Sequence, residues 1–181
     1  QASEQISNIL NLNNRGKVEN LEQLKKLYNI NYTAPYNLSN FKDTNNKFDI
    51  CISTTTLEHF KLSDLNDYLE DLKTILKPGG LVSSIIDYSD HYSHTDKNIS
   101  PLNYLSYSDD EWGKYNNSYL FQNRLRHQDY KRIFEEKNYI VKDVSLGDFL
   151  DPPKNINKKI EKNNDETFIG WAYFLVTIKN N

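Results

Sequence analysis

Apolar side chains recur along this chain at helical and strand-like spacings that predict alternating helices and strands. A stripe over residues 18–28 predicts one helix, and residues 30–34 predict a short strand that Pro35 would end. The clearest helix precedes Pro78, with Ser63 as a plausible N-cap. Its apolar stripe recurs every three or four positions and consists of Leu65, Tyr68, Leu69, Leu72, Ile75 and Leu76.

Short apolar runs predict the strands of a parallel sheet. FDICIS at 48–53 is typical of a buried parallel strand. LKPGG at 76–80 predicts a turn, and LVSSIID at 81–87 predicts the next strand. Strand, helix and strand then form a crossover unit, which we expect to be right-handed. The fold class is therefore α/β.

The carboxyl-terminal part predicts a different connection. Residues 126–137 predict a helix, and residues 139–146 and 168–178 predict two strands. The polar linker at 151–166 contains two prolines, and no helix is needed across it. We therefore expect the last two strands to pair as an antiparallel hairpin. The long aromatic and polar segment 88–123 lacks periodicity, and loops of that length tend to carry function.

Composition narrows the class of protein. A chain of 181 residues suits one domain, 1–181. The net charge of -3 argues against nucleic-acid binding, and no run is apolar and long enough for a membrane helix. The single cysteine, Cys51, excludes an intrachain disulfide and favours a cytoplasmic protein. Because the chain has no methionine and begins at Gln1, we expect it to be a fragment.

Several motifs stand in a recognisable order. LKPGG at 76–80 follows FDICISTTTLEHF at 48–60. DYSDHYSHTDKNIS at 87–100 and FQNRLRHQDY at 121–130 come later. Together they resemble the second half of class I S-adenosylmethionine-dependent methyltransferases, of a bacterial branch with DHYxHxD and NRLR segments. The resemblance implies an incomplete Rossmann-like fold, S-adenosylmethionine as the cofactor of the intact parent, and a small-molecule methyl acceptor.

The family's glycine-rich cofactor loop has no counterpart here. The six glycines, at 16, 79, 80, 113, 147 and 170, form no GxG, and nothing before Ile30 predicts two buried strands. We expect a truncated domain that binds the cofactor poorly and is inactive by itself. In the family's sheet the missing strands lie between the third and the fourth strand, so the strand at 30–34 would lose its neighbours. It would shift, stay loose or pair with another chain in a homo-oligomer that covers the exposed sheet edge.

The resemblance also suggests cofactor-binding residues at strand ends. Asn37 and Leu38 follow the third strand, and Ser53 and Thr54 follow the fourth; ordinary turn roles are an alternative. Asn37 stands where an aspartate is common in the family. Glu58 and His59 of the LEH motif would pack near the cofactor or brace the loop by hydrogen bonds.

The richest polar cluster follows the strand at 81–87, where open α/β sheets bind ligands. It consists of Asp87, Asp90, His91, His94 and Asp96. As a methyl-transfer site it would use His91 or Asp90 as the base, with His94 and Asp96 binding the acceptor. Its nitrogen and oxygen atoms also suit a divalent metal, as in a hydrolase-like site, but no standard ligand spacing matches and we expect no metal. A hydrogen-bonded structural loop is the third interpretation.

A second cluster, Asn123, Arg124 and Arg126, is predicted to bind a carboxylate or phosphate of the acceptor. Pairing with Asp129 or helix capping is an equal alternative. Nearby aromatic residues would stack on a ring of the acceptor or form core: Tyr104, Tyr107, Trp112, Tyr115 and Tyr119. The rival function is a non-catalytic binding or scaffold domain that kept the sheet and lost the cofactor loop.

Overall fold

The computed structural model describes residues 16–34, 38, 47–157 and 165–179. These residues fall into two compact units that divide between residues 37 and 38, and each unit is described by itself. The assignment of one domain to residues 1–181 stays a prediction.

The first unit contains helix α1 (Leu21–Tyr28), which confirms the helix predicted over 18–28. The side chain of Asn20 accepts a hydrogen bond from the Gln23 amide at its start. Asn29 ends it in the left-handed region, at φ 57°. Residues 30–34 form no strand, so that prediction is wrong. A strand is stable only beside a hydrogen-bonded neighbour, and no described strand pairs with this segment.

The second unit contains a mixed sheet, four-stranded in the described part of the chain. Its strands are β1 (Phe48–Thr54), β2 (Leu76–Asp87), β3 (Tyr139–Leu146) and β4 (Trp171–Ile178), in the order β1-β2-β4-β3. β1 pairs with β2 in parallel. β4 pairs antiparallel with both β2 and β3. The predicted α/β class and the closing antiparallel hairpin are thus confirmed.

β1 is parallel as predicted but is not a buried strand. It lies at one edge of the described sheet, with Ile50 44% and Ile52 70% exposed. The pattern of apolar residues therefore predicted the strand correctly and its burial wrongly. Its apolar side chains lack the covering neighbours that a central parallel strand has.

Helix α2 (Leu62–Ile75) connects β1 to β2 and buries the predicted stripe. It begins after Lys61, two residues before the predicted cap, and the Ser63 hydroxyl donates to the neighbouring Asp64 carboxylate instead. β2 starts directly at the end of the helix, within LKPGG. The predicted turn is therefore an irregular strand start, where Gly79 has φ 76° and the pairing with β1 shifts register.

Helix α5 (His127–Glu136) confirms the helix predicted over 126–137. Its buried face and that of α2 contribute to one core cluster with side chains of β2 and β4. The final strand begins three residues later than predicted, because residues 165–168 form a 3-10 turn. None of the described helices is long and apolar enough to cross a membrane.

The segment 88–123 is more ordered than its sequence suggests. It contains the short helix α3 (Tyr92–Thr95), a 3-10 turn (Asn103–Ser106) and helix α4 (Asp109–Tyr115). Tyr104 and Trp112 are buried in a second small core, so the core interpretation holds for them, whereas Tyr119 is 95% exposed. This segment includes the loop that follows β2.

Candidate functional site

Two loops meet where the parallel strands β1 and β2 end side by side. The first loop follows β1 and contains the 3-10 turn Leu57–His59. Thr55, just after β1, has φ 46° and donates its amide to the Ile85 carbonyl of β2 at 2.9 Å. A left-handed β-branched residue is uncommon and strained, and such strain clusters at functional sites.

Two of the four residues predicted to line a cofactor lie at the end of β1. Ser53 is half-buried, and its hydroxyl has no hydrogen-bond partner among the described residues. Thr54 is exposed, and its carbonyl accepts a bond of 2.9 Å from Thr56. Leu38 packs against the main core, and Asn37 lies outside the described residues. Cofactor contact by all four stays a prediction.

Glu58 is 2% exposed, and neither side-chain oxygen has a hydrogen-bond partner within the described chain. Burial raises the pKa of this carboxyl and Asp87 adds to the rise, whereas the residue's own backbone amide, His59 and His91 oppose it. His59 is exposed, and its Nδ1 lies 2.8 Å from the Phe121 carbonyl oxygen. Because a carbonyl only accepts, Nδ1 carries the proton and the lone pair of neutral His59 is on Nε2.

The second loop follows β2 and holds Asp87 against two histidines. Asp87 Oδ2 lies 3.6 Å from His91 Nε2 and 3.7 Å from His94 Nε2, beyond hydrogen-bond length but within electrostatic reach. The Asp87 carboxylate raises the pKa of His91 above its ordinary value. Burial works to raise the pKa of Asp87, yet His91 and Ser89 together hold it below its usual range. Asp87 thus favours a charged His91.

Asp90 and Asp96 brace their loop. Asp90 is fully buried, and its carboxylate accepts from the Tyr92 amide at 2.9 Å and the Asn103 amide group at 3.3 Å. Burial raises its pKa. Asp96 is exposed and accepts two bonds from Asn98. The predicted base role of Asp90 therefore has no support in this geometry, and the structural interpretation fits both residues better.

The second predicted cluster is also engaged by the fold. The Asn123 side-chain amide donates to the Leu57 and Phe60 carbonyls at 3.0 Å each. Arg124 donates to the Tyr104 and Tyr107 carbonyls, and it pairs with Asp109. These bonds hold the loops together. Both residues also line an open cavity of about 350 Å³, and their binding of an acceptor stays a prediction.

Arg126 is 7% exposed and forms a structural junction. It donates to the carbonyls of Tyr88, Thr167 and Ile169 and to the Tyr104 hydroxyl. Its backbone amide donates to Asp129 at the start of α5, which is the capping alternative. A guanidinium with these bonds is not available to an acceptor.

Gln122 is a site-forming residue that sequence reasoning missed. It is 2% exposed, donates to the Ser89 carbonyl at 2.5 Å and accepts from the His91 amide at 3.2 Å. It therefore fixes the backbone on which His91 is placed. A lone glutamine in an aperiodic segment gives no signal, because only the fold brings it to residues more than 30 positions away.

Residues 12–84 match the family model described as a methyltransferase domain. No curated protein matches the chain significantly. The matched segment includes β1, the loop that carries Glu58 and His59, α2 and most of β2.

Solved structures align with this chain at low identity. An S-adenosylmethionine-dependent methyltransferase from Clostridium acetobutylicum aligns at TM-score 0.50 and 17% identity, over 88% of this chain and 69% of that chain. TehB from Haemophilus influenzae aligns at 0.46 and 16%, over 88% and 45%. The N-methyltransferase NodS from Bradyrhizobium japonicum, in complex with S-adenosylhomocysteine, aligns at 0.45 and 11%, over 86% and 57%. The chain thus spans 45% to 69% of these structures' lengths.

The match of residues 12–84 and the fold of the first structure support the resemblance to class I methyltransferases. Their incomplete coverage is consistent with an incomplete fold. The bacterial branch stays a prediction.

Proposed function

We propose that this chain, which resembles the class I S-adenosylmethionine-dependent methyltransferases, provides the carboxyl-terminal part of a site for methyl transfer to a small molecule. The match of residues 12–84 to a methyltransferase domain carries this proposal. The parallel pairing of β1 and β2 supports it, because ligands of open α/β sheets bind beyond the carboxyl ends of the strands.

The end of β1 has features that suit the cofactor. The hydroxyl of Ser53 is buried with no partner in the described residues, so it is available to a bound group. Thr54 is exposed beside it. When bound, S-adenosylmethionine supplies a methyl group on a positively charged sulfur. Glu58 and Asp87 place carboxylates near this strand end, and their negative charge suits a cationic cofactor.

His91 is the base in this proposal. Its Nε2 is buried without a hydrogen bond to any described residue. Neutral His91 would accept the acceptor's proton when bound S-adenosylmethionine gives up its methyl group, with cleavage of the carbon–sulfur bond and release of S-adenosylhomocysteine. The nearby Asp87 stabilises the imidazolium that results. Alignment of the acceptor with the methyl group supplies the larger effect, at most about 7 to 11 kcal/mol.

An open cavity beside Asp87 and His94 suits a small acceptor. Its volume is about 370 Å³, and Leu150 and Trp171 provide apolar surface at its wall. Ligand sites for small molecules have this range of volume and combine apolar walls with a few polar groups. The cavity supports a small-molecule acceptor that His94 contacts.

By itself this chain binds the cofactor weakly. The glycine-rich loop of the family, whose backbone approaches the cofactor, has no counterpart among its six glycines. The fragment is therefore inactive in this proposal, and the cofactor-side contacts come only from the ends of β1 and β2.

Thermal unfolding with and without S-adenosylhomocysteine measures how weakly the chain binds the cofactor. A site with a Kd of about 10 µM would gain about 2.7 kcal/mol at about 1 mM ligand, which raises the Tm by several degrees. We expect a clearly smaller rise, with adenosine as the matched control. A rise of the full size would mean that the remaining strands form a complete site, and the fragment interpretation would be wrong.

The second candidate function is a scaffold domain derived from a methyltransferase. The internal bonding of Asn123, Arg124 and Arg126 favours it, because these donors are bonded to carbonyl oxygens of the chain's own loops. It differs from the first proposal in one respect: a scaffold binds no S-adenosylhomocysteine at the end of β1.

A further inference from the structure

Three side chains from the two loops converge in a way that methyl transfer does not require. Glu58 and His59 follow β1, and His91 follows β2. One ligand atom from each can be chosen so that all three lie within 4.8 Å of one another. The rings of His59 and His91 have centroids 4.9 Å apart. The group therefore combines two imidazoles and one carboxylate in a small volume.

The Glu58 carboxyl is the strongest indication that this group binds a ligand. The residue is only 2% exposed, yet both side-chain oxygens lack a hydrogen-bond partner in the described residues. Buried polar groups in native proteins are nearly always satisfied, and an unpaired buried carboxylate is costly. A cation between the loops would remove that cost.

The two histidines present suitable lone pairs to the same place. His59 donates Nδ1–H to the Phe121 carbonyl, which leaves Nε2 to coordinate. Metal-binding histidines are oriented in this way by a backbone carbonyl. The Nε2 atom of His91 is buried and makes no hydrogen bond within the described part of the chain. Each ring thus has a nitrogen without a hydrogen bond in the described residues, and a cation would compete with a proton for that of His91, which lies 3.6 Å from Asp87 Oδ2.

We propose that Glu58, His59 and His91 bind a divalent first-row transition-metal ion such as Mn²⁺, Co²⁺ or Zn²⁺. Two nitrogens and one oxygen suit these ions better than Mg²⁺ or Ca²⁺, which prefer oxygen ligands. Ligands on opposite sides of such an ion lie about 4 Å apart. The ligand atoms here lie within 4.8 Å of one another, so small side-chain rotations would bring them to bonding distance of one ion.

Three protein ligands leave coordination positions open for water or for a hydroxyl of a bound molecule. An ion at this place would lower the pKa of that hydroxyl and hold its oxygen in position. It would then replace His91 as the group that activates the acceptor. This metal site goes beyond the proposed methyl transfer. Metal binding does not require that the chain transfers a methyl group.

The alternative arrangement places an ion between Asp87 and His94. His94 Nε2 lies 3.7 Å from Asp87 Oδ2, but this histidine is half exposed and within 2.9 Å of the Ser89 hydroxyl. Its nitrogen already has a partner. The geometry therefore favours the group at Glu58, and His94 provides the matched control.

Metal binding is measured directly on the chain prepared without a histidine tag and stripped with chelator. Titration calorimetry with Mn²⁺, without cofactor, is expected to give one saturable ion per chain. Co²⁺ is expected to give a visible absorption spectrum of mixed nitrogen and oxygen ligation. Glu58→Gln and His91→Asn are expected to weaken Mn²⁺ binding at least about tenfold, and His94→Asn to change it by less than about threefold.

The proposal is overturned if the folded wild-type chain binds neither ion saturably. It is also overturned if Glu58→Gln retains binding while His94→Asn loses it. Thermal unfolding of each metal-free variant verifies that it folds. If a variant does not fold, the Co²⁺ spectrum of the wild-type chain decides alone: a spectrum without nitrogen ligation contradicts the site. Failure here leaves the methyltransferase proposal intact, because cofactor binding is measured separately.

Discussion

His127 is a buried histidine whose surroundings disfavour its charged form. It is 4% exposed and stacks on Phe174, with ring centroids 5.0 Å apart. Burial lowers its pKa below the ordinary value, Lys131 adds to this effect, and Glu166 opposes it. Its Nδ1 has no partner among the described residues. Folding therefore favours neutral His127.

This burial makes stability depend on pH in a defined direction. Unfolded His127 takes up a proton below about pH 6.5, whereas folded His127 resists it until a lower pH. The stability present above pH 6.5 is thus lost as the pH falls through the folded pKa. We expect His127→Phe, which keeps the stacking, to lose less stability than the wild-type chain between about pH 7.5 and 5.5.

Urea unfolding of both proteins at each pH measures the difference. The carboxyl groups titrate in both, so their contribution cancels in the comparison. An equal loss of stability in the two proteins would show that His127 carries no such penalty.

At the residue scale, sequence reasoning located the loops but not the tasks of most side chains. The cluster after β2 and the LEH motif do meet, because both follow strands that pair in parallel. Arg124 and Arg126 resemble ligand-binding cations in sequence, yet each is bonded to carbonyl oxygens. Those carbonyls belong to distant loops, and no local pattern reveals such partners.

At the scale of elements, the edge strand β1 and the interior strand β2 differ in what they bury. Ile86 of β2 is fully buried, whereas Ile52 of β1 is 70% exposed. Periodicity and β-branched residues predicted both strands, since these depend on local sequence. The exposure of β1 depends on which strands lie beside it, and the sequence of β1 does not contain that information.

The same substitution in both strands tests this difference. Ile86→Ala removes core packing and is expected to cost about 2 to 5 kcal/mol. Ile52→Ala is expected to cost less than about 1 kcal/mol, because most of its side chain is already in water. Chemical denaturation provides both values. Equal costs would mean that β1 is covered in solution, as in the predicted homo-oligomer.

For the whole molecule, the order β1-β2-β4-β3 leaves β1 at an edge of the described sheet, which agrees with the fragment interpretation. The family's first two strands would lie next to the outer edge of β1, and the described sheet ends there. The fold class was predictable from the order of the strands and helices along the chain. The antiparallel hairpin of β3 and β4 was predictable from the length of the connection between them. The absence of a glycine-rich loop was predictable from the glycine positions alone.

The most direct test of this account maps S-adenosylhomocysteine on the chain. Amide signals of the ¹⁵N-labelled protein would be followed by NMR up to millimolar ligand, where even weak binding is visible. We predict saturable shifts at residues 53–59 and 87–91, around the ends of β1 and β2. No site-specific shift, or shifts confined to the surroundings of His127, would contradict a methyltransferase site and favour the scaffold.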